Sequence, residues 1–338
     1  MNKRTTPLWF DRMLIRLMAG ARRSFTWLFT ERIPFEKSKS FLLLLSRKGE
    51  TADELLGCVQ ALQTLEKIQK GASIRGVMDT CGTGGDGRRT LNISTLVALV
   101  IAGAGGKIAK HGNRAISSRS GSSDLMEAFG VKLSASRKRM VLATRRSGLG
   151  YFHAPYHHPV FSKMQALRRS LKRPTILNLL GPLVNPLRLD YQLVGVGEKR
   201  LLPLYAKVLA KLGRKQALIC HSRDGMDEIS TSAPTSTAWI TPNQVRMSTI
   251  RPKALGLKSA RAVDLTVDSV EESKRRSENI LTGRDKGPAR DTIILNAAYG
   301  LLICQKAKTV REGIRLAERS IDSGSALRVL SQLKAWSH

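Results

Sequence analysis

Between Asp79 and Thr95 the chain reads Asp-Thr-Cys-Gly-Thr-Gly-Gly-Asp-Gly-Arg-Arg-Thr-Leu-Asn-Ile-Ser-Thr, with four glycines in the six positions from Gly82 to Gly87. A short apolar strand at Val77 and Met78 precedes this run, and an apolar helix from Ile93 to Ala104 follows it. Glycines let the backbone approach a ligand closely and accept positive φ, so that successive N–H groups point into one cavity. The helix behind them adds the positive end of its dipole. A loop built this way holds phosphate.

The spacing of Gly82, Gly84 and Gly87 satisfies G-x-G-x-x-G, the dinucleotide fingerprint. That fingerprint needs an acid about 20 residues on for the ribose hydroxyl. No Asp or Glu stands between Gly87 and Ser123; Arg88, Arg89, Lys107, Lys110, Arg114 and Arg119 do. This argues against a nicotinamide cofactor and for a ligand carrying several phosphates. The Walker pattern is absent too, which removes the main support for ATPase chemistry.

A second polar block, Lys110-His-Gly-Asn-Arg-Ala-Ile-Ser-Ser-Arg-Ser-Gly-Ser-Ser-Asp124, follows a short strand at Lys107–Ala109. It is either a loop closed by a helix N-cap near Ser122–Asp124 or the second wall of the same pocket across a β-helix-β unit. A third signal is the adjacent pair Asp227 and Glu228 within Asp224-Gly-Met-Asp-Glu-Ile-Ser230. Two carboxylates beside phosphates suit Mg²⁺, whereas alone they read as a solvated turn.

With these residues in place, the chain resembles the anthranilate phosphoribosyltransferase family from about Phe41 to its C-terminus. The likeness rests on five ordered motifs: Gly82–Thr95, Lys110–Asp124, Arg168–Pro186, Asp224–Ser230 and Arg290–Ala326. The resemblance implies transfer of a 5-phosphoribosyl group from 5-phosphoribosyl 1-diphosphate (PRPP) to anthranilate, with release of diphosphate, in tryptophan biosynthesis. It places the PRPP site on Gly82, Gly85, Asp86, Thr90, Asn92, Ile93, Ser94, Thr95, Lys110, His111, Gly112, Asn113, Arg114, Ala115, Ile116, Ser117, Ser118 and Ser122. It implies Mg²⁺ at Ser94, Asp227 and Glu228. The anthranilate contacts fall on Gly82, Asn113 and Arg168, with His111, His158 and Pro182 lining that side. A guanidinium suits a benzoate carboxylate, although Arg168 and Arg169 on a basic amphipathic helix also fit a face turned to water.

Such a transfer needs no covalent intermediate, and no G-x-S-x-G elbow or Ser/His/Asp arrangement is evident. His153, His157 and His158 carry no acid or cysteine nearby in the sequence, so a zinc site is weaker than a pocket wall at His158. Cys58, Cys81, Cys220 and Cys304 are scattered, without C-x-x-C spacing, and read as free thiols in a reducing cytosol. Cys81 reads as a small packing residue.

These motifs need a scaffold, and 338 residues suffice for two domains. Residues 1–75 read as a small helical domain, with Thr51, Asp53 and Glu54 suited to starting a helix. Residues 76–338 read as an α/β domain with a mainly parallel sheet flanked by helices. Apolar strands are expected at Ile176–Leu180, Gln192–Val196, Ala217–Cys220 and Ala238–Ile240, and a mobile connection at Ser269–Asp291. No run reaches the roughly 20 apolar residues that span a bilayer, so the expectation is a cytoplasmic protein with no membrane contact. The first 35 residues, Arg-rich and acid-poor, leave an organelle transit peptide as the alternative.

The family's N-terminal helices imply a homodimer, but Met1–Ser40 matches faintly, with Trp9, Phe25, Trp27, Leu28 and Phe29 set among arginines. Arg119 and Leu91 also depart from the usual Lys and Phe without removing a needed donor. A net charge of +31 exceeds what an anionic substrate requires. A basic proteome-wide bias or a nucleic-acid-binding relative on the transferase scaffold accounts for it, and another aromatic amine as acceptor is a further alternative. Only 5% of the residues are aromatic, which disfavours a base-stacking platform. The intact motifs favour the enzyme, with nucleic acid at most a non-specific partner.

Overall fold

A computed structural model of the chain describes residues 20–68, 74–85, 87–115 and 119–338. Seven strands form one sheet: β1 Val77–Asp79, β2 Lys107–Gly112, β3 Leu149–His153, β4 Tyr191–Gly195, β5 Gln216–Ser222, β6 Thr235–Thr241 and β7 Gln244–Ile250. Their order is β3-β2-β1-β4-β5-β6-β7. The first five run parallel, and β6 and β7 extend the sheet antiparallel as a hairpin closed between Thr241 and Gln244.

Alternation along the strands divides the apolar residues between two cores. Tyr191 and Leu193 of β4 and Leu218 and Cys220 of β5 belong to one; Val194, Ala217 and Ile219 belong to the other. The period of two sends successive side chains to opposite faces, so a central strand apolar at every position must be covered on both. The first core is covered by helices Ile93–Gly103, Arg137–Ser147, Pro288–Ile303, Val310–Asp322 and Ser325–Ser337. The second takes helix Leu201–Lys211 together with residues of the N-terminal helices 20–29, Phe35–Lys48 and Ala52–Leu65. Phe25, Leu28 and Phe29, set among arginines in the sequence, are buried there, whereas Trp9 lies outside the described residues.

Helix Ala52–Leu65 begins where the sequence suggests. Thr51 Oγ1 accepts from the Glu54 amide at 3.3 Å, and the Thr51 amide donates to Glu54 Oε2 at 2.9 Å. This reciprocal cap contributes about 1 kcal/mol.

Two expectations need correction. Ile176–Leu180 is not a strand: Ile176–Asn178 is a 3-10 turn, held by the Thr175 amide donating to Asn178 Oδ1 at 3.0 Å. Its apolar side chains fill the second core without any ladder. Ser269–Asp291 is not a free connection, because Ser269 caps helix Val270–Leu281 and Pro288 opens the helix to Ile303. The strand expected at Ala238–Ile240 is present within β6, which pairs antiparallel with β5 at the edge of the parallel part. β3 and β7 also escaped the sequence; β7 is exposed over most of its length and has no apolar run to announce it.

Candidate active site

β1, β2 and β3 progress to one side of the sheet, and β4 and β5 lie on the other. The connections therefore diverge between β1 and β4, which opens a crevice at the carboxyl ends of the strands. The glycine loop after β1 and the polar block after β2 leave the sheet at this end.

The β1 loop turns at Gly84, Gly85 and Gly87, with φ of +62°, +85° and +71°. Gly82 passes close against Asp227: a Cβ there would lie 3.1 Å from Asp227 Oδ2 and from the Gly195 carbonyl. The Thr83 amide donates to the Gly195 carbonyl at 2.9 Å, and the Gly197 amide to Thr83 Oγ1 at 3.0 Å. The Gly84 amide donates to Asp227 Oδ2 at 3.2 Å. One loop thus binds the ends of β1, β4 and β5 together and turns the Asp227 carboxylate toward the glycines. The outgoing limb, Arg89 to Leu91, pairs with Leu265–Val267, including a bridge between Thr90 and Thr266.

The second block follows β2 and is secured from several sides. Asp124 Oδ2 accepts from the amides of Ala115 at 3.0 Å and Gly121 at 2.9 Å. Ser122 Oγ accepts from the Asn113 amide at 3.2 Å. Arg114 pairs with Asp124 at 2.9 Å and Glu127 at 2.7 Å, so its charge steadies the loop. Asn92 joins the two loops: its amide donates to the Ser120 carbonyl, and its Oδ1 accepts from Ser120 and Ser273, each at 3.0 Å. Ile93, Ser94 and Thr95 form the first turn of the helix behind the loop. The block is thus a loop closed by the start of helix Ser122–Ala128, and Asn92 sets it beside the glycine loop.

Beneath the loops, Asp79 is fully buried. Its Oδ1 accepts from the amides of Thr80 at 2.7 Å and His111 at 3.2 Å, and its Oδ2 from Asn185 Nδ2 at 2.9 Å. Burial pushes its carboxyl up, against Lys110 and these donors. Lys110 is itself buried and donates to the His111 carbonyl at 3.0 Å. Nothing local marks Asn185 for this role: the Asn-Pro dipeptide signals a turn, while its partner Asp79 lies 106 residues away. Cys81 is buried, and burial pushes its thiol up to about 12, which leaves it unsuited to act as a nucleophile.

Rings line the other side. His111 Nδ1 donates to the Gly181 carbonyl at 2.9 Å, next to Pro182. The His111 ring meets His158 edge-on at 5.0 Å, and His158 meets Phe161 at 5.9 Å. The Arg168 guanidinium lies 5.6 Å from the Phe161 ring. Arg168 is half-buried, with burial lowering its pKa, so the water-facing reading fits the exposed Arg169 instead. The histidines do have an acid nearby, contrary to the sequence reading: Glu66, from the end of the helical region, contacts His158 Nδ1. His153 bonds Ser123 at 2.8 Å, and burial pushes His157 down to about 3. Asp86, Ile116, Ser117 and Ser118 lie outside the described residues.

A glycine cradle at the switch point of a mainly parallel sheet, with an acid facing it, suits a phosphorylated ligand. The glycosyl transferase family, a/b domain, matches residues 75–327. The chain belongs to the anthranilate phosphoribosyltransferase family: it is 41% identical over 311 residues to the enzyme of Bacillus thuringiensis subsp. konkukian, covering 92% of this chain and 91% of that one. The Bacillus mycoides enzyme is 40% identical over the same length. Among solved structures, the Thermus thermophilus enzyme superposes with a TM-score of 0.85 at 32% identity, over 94% of both chains. The Saccharomyces cerevisiae enzyme in complex with PRPP and Mg gives 0.84 at 26%, over 94% of this chain and 92% of that one.

Proposed function

We propose that this chain transfers the 5-phosphoribosyl group of PRPP to anthranilate and releases diphosphate, as a step of tryptophan biosynthesis. The observation that carries this reading is the joining of the two phosphate-type loops at the sheet's switch point, with imidazole rings and Arg168 on the other side. The glycine loop and the helix start at Ile93 offer amides to the diphosphate. The His111, His158, Pro182 and Arg168 side supplies rings and a cation suited to a benzoate.

Asp227, Glu228 and Ser94 are hard oxygen donors, and Asp227 already faces the glycine loop, so the set fits Mg²⁺ completed by phosphate oxygens and water. Bound there, Mg²⁺ would neutralise charge on the departing diphosphate. The chain's own residues do the rest: they hold the ribose carbon and the amine in line, and their amides meet the developing negative charge.

The reading includes a helical domain over residues 1–75, an α/β domain over 76–338, a cytoplasmic setting and a homodimer. Phe35 and Leu44 support the last, being 47% and 37% exposed on helix Phe35–Lys48. Among the described residues no helix is long and apolar enough to cross a membrane.

The test is formation of phosphoribosyl anthranilate by the purified protein with PRPP, anthranilate and Mg²⁺. Arg168→Ala should weaken anthranilate binding by about 2 kcal/mol, roughly thirtyfold, and leave PRPP binding unchanged. A loss confined to PRPP would put this arginine on the wrong side of the site.

A further inference from the structure

The small helical region sends one side chain into the ring-lined wall. Glu66 is the C-cap residue of helix Ala52–Leu65, and its side chain is only 3% exposed. Its Oε1 accepts from the Val160 amide at 3.2 Å, and its Oε2 contacts His158 Nδ1. A carboxylate accepts, so Nδ1 of His158 carries the hydrogen, and in the neutral ring Nε2 then keeps its lone pair. His111 is fixed the same way, because the Gly181 carbonyl can only accept from its Nδ1. Burial and the neighbouring His158 hold His111 well below the ordinary imidazole range, hence neutral.

Both Nε2 atoms are buried without a hydrogen-bond partner among the described residues. Leaving a buried polar atom unpaired costs about 1–3 kcal/mol. Two such atoms on rings 5.0 Å apart point to donors that arrive with a ligand. A primary aromatic amine brings two N–H donors.

We propose that Glu66 is a positioning residue that fixes the tautomer of His158, so that His158 Nε2 accepts an N–H of the attacking amine and takes up its proton. This rests on the transferase reading and deepens it. As the amine nitrogen bonds to C1 of the ribose, the C1–O bond to diphosphate breaks and its electron pair leaves with the diphosphate. The proton shed by nitrogen moves to His158 Nε2, and the resulting imidazolium is met by the Glu66 carboxylate. A cavity of about 410 Å³, lined in part by Leu65, Glu66, Arg137 and His157, adjoins the pair and gives that proton a route onward.

The test combines a spectroscopic readout with kinetics. In ligand-free protein labelled with ¹⁵N-histidine, and assigned by loss of signal in His158→Gln, His158 should be protonated at Nδ1 and bare at Nε2. Glu66→Ala should lower kcat for anthranilate roughly tenfold or more while calorimetric PRPP affinity stays at the wild-type value. Glu66→Gln, whose amide oxygen still accepts from Nδ1, should recover part of that loss. A wild-type His158 protonated at Nε2, or a folded Glu66→Ala with wild-type kcat, would overturn the proposal. Should Glu66→Ala not fold, the wild-type tautomer and Glu66→Gln decide: a Glu66→Gln enzyme as impaired as His158→Gln also overturns it. A wild-type protein that makes no product from anthranilate and PRPP sinks the transferase reading instead, and the tautomer measurement separates the two failures.

Discussion

Asp227 shows how little freedom the site allows a single residue. Its carboxylate meets the Gly84 amide, a Cβ on Gly82 would crowd it at 3.1 Å, and a Cβ on Gly195 would fall 1.7 Å from its carbonyl oxygen. Two glycines on one loop and one at the end of β4 thus let one acid face the glycine cradle. If this acid and Glu228 hold Mg²⁺ against the diphosphate, Asp227→Ala with Glu228→Ala should abolish transfer, while circular dichroism and the melting profile report a folded protein. Retained activity with Mg²⁺ still required would reduce the pair to a structural turn. The glycines and the acid pair were legible in the sequence because backbone chemistry demands those residue types at those spacings. Glu66 was not: it stands 92 residues from His158, and nothing local distinguishes it from any other acid following a helix.

Elements were legible where burial wrote a pattern and hidden where it did not. The apolar strands β1, β4 and β5 and the helix Ile93–Gly103 stand out because both faces are covered. Ile176–Leu180 has the same apolar character but follows a proline and a threonine-asparagine cap, and local hydrogen bonding outweighs strand propensity there. At this scale the second loop makes a prediction. Burial alone would raise the Asp124 carboxyl, but the amides of Ala115 and Gly121 and the Arg114 guanidinium outweigh it and hold the pKa below the ordinary value. A carboxyl depressed in the folded state stabilises the loop above its unfolded pKa and loses that contribution as pH falls through the folded one. Hydrogen-exchange protection factors at Ala115 and Gly121 should therefore drop on acidification from about pH 5 to about pH 3. Asp124→Asn should show the same loss at neutral pH and bind PRPP about tenfold more weakly. Wild-type affinity in Asp124→Asn would mean that the loop does not depend on this clamp.

Across the whole molecule, the helical region and one face of the sheet share a core, so the wall carrying Glu66 and the wall carrying His158 meet along a packed boundary. The charge follows a different logic. Residues 1–75 hold 14 basic and 7 acidic groups, so most of the +31 lies beyond them, spread over the surface instead of gathered in a tail. Several of the acids that are present work inward: Asp79 under the loops, Asp227 against the glycines, Glu66 on His158. That leaves the surface cations partnered by few carboxylates, and a surface of that kind attracts polyanions without reading them. If the charge is only background, duplex DNA should bind with no sequence preference and lose about a thousandfold in affinity between roughly 50 and 200 mM salt, as counterion release requires. Transfer to anthranilate should be unaffected by saturating DNA at physiological salt, because the cradle lies in a crevice between loops, not on the open surface. Tight binding that survives physiological salt, together with no product from anthranilate, would make nucleic acid the true partner of this scaffold.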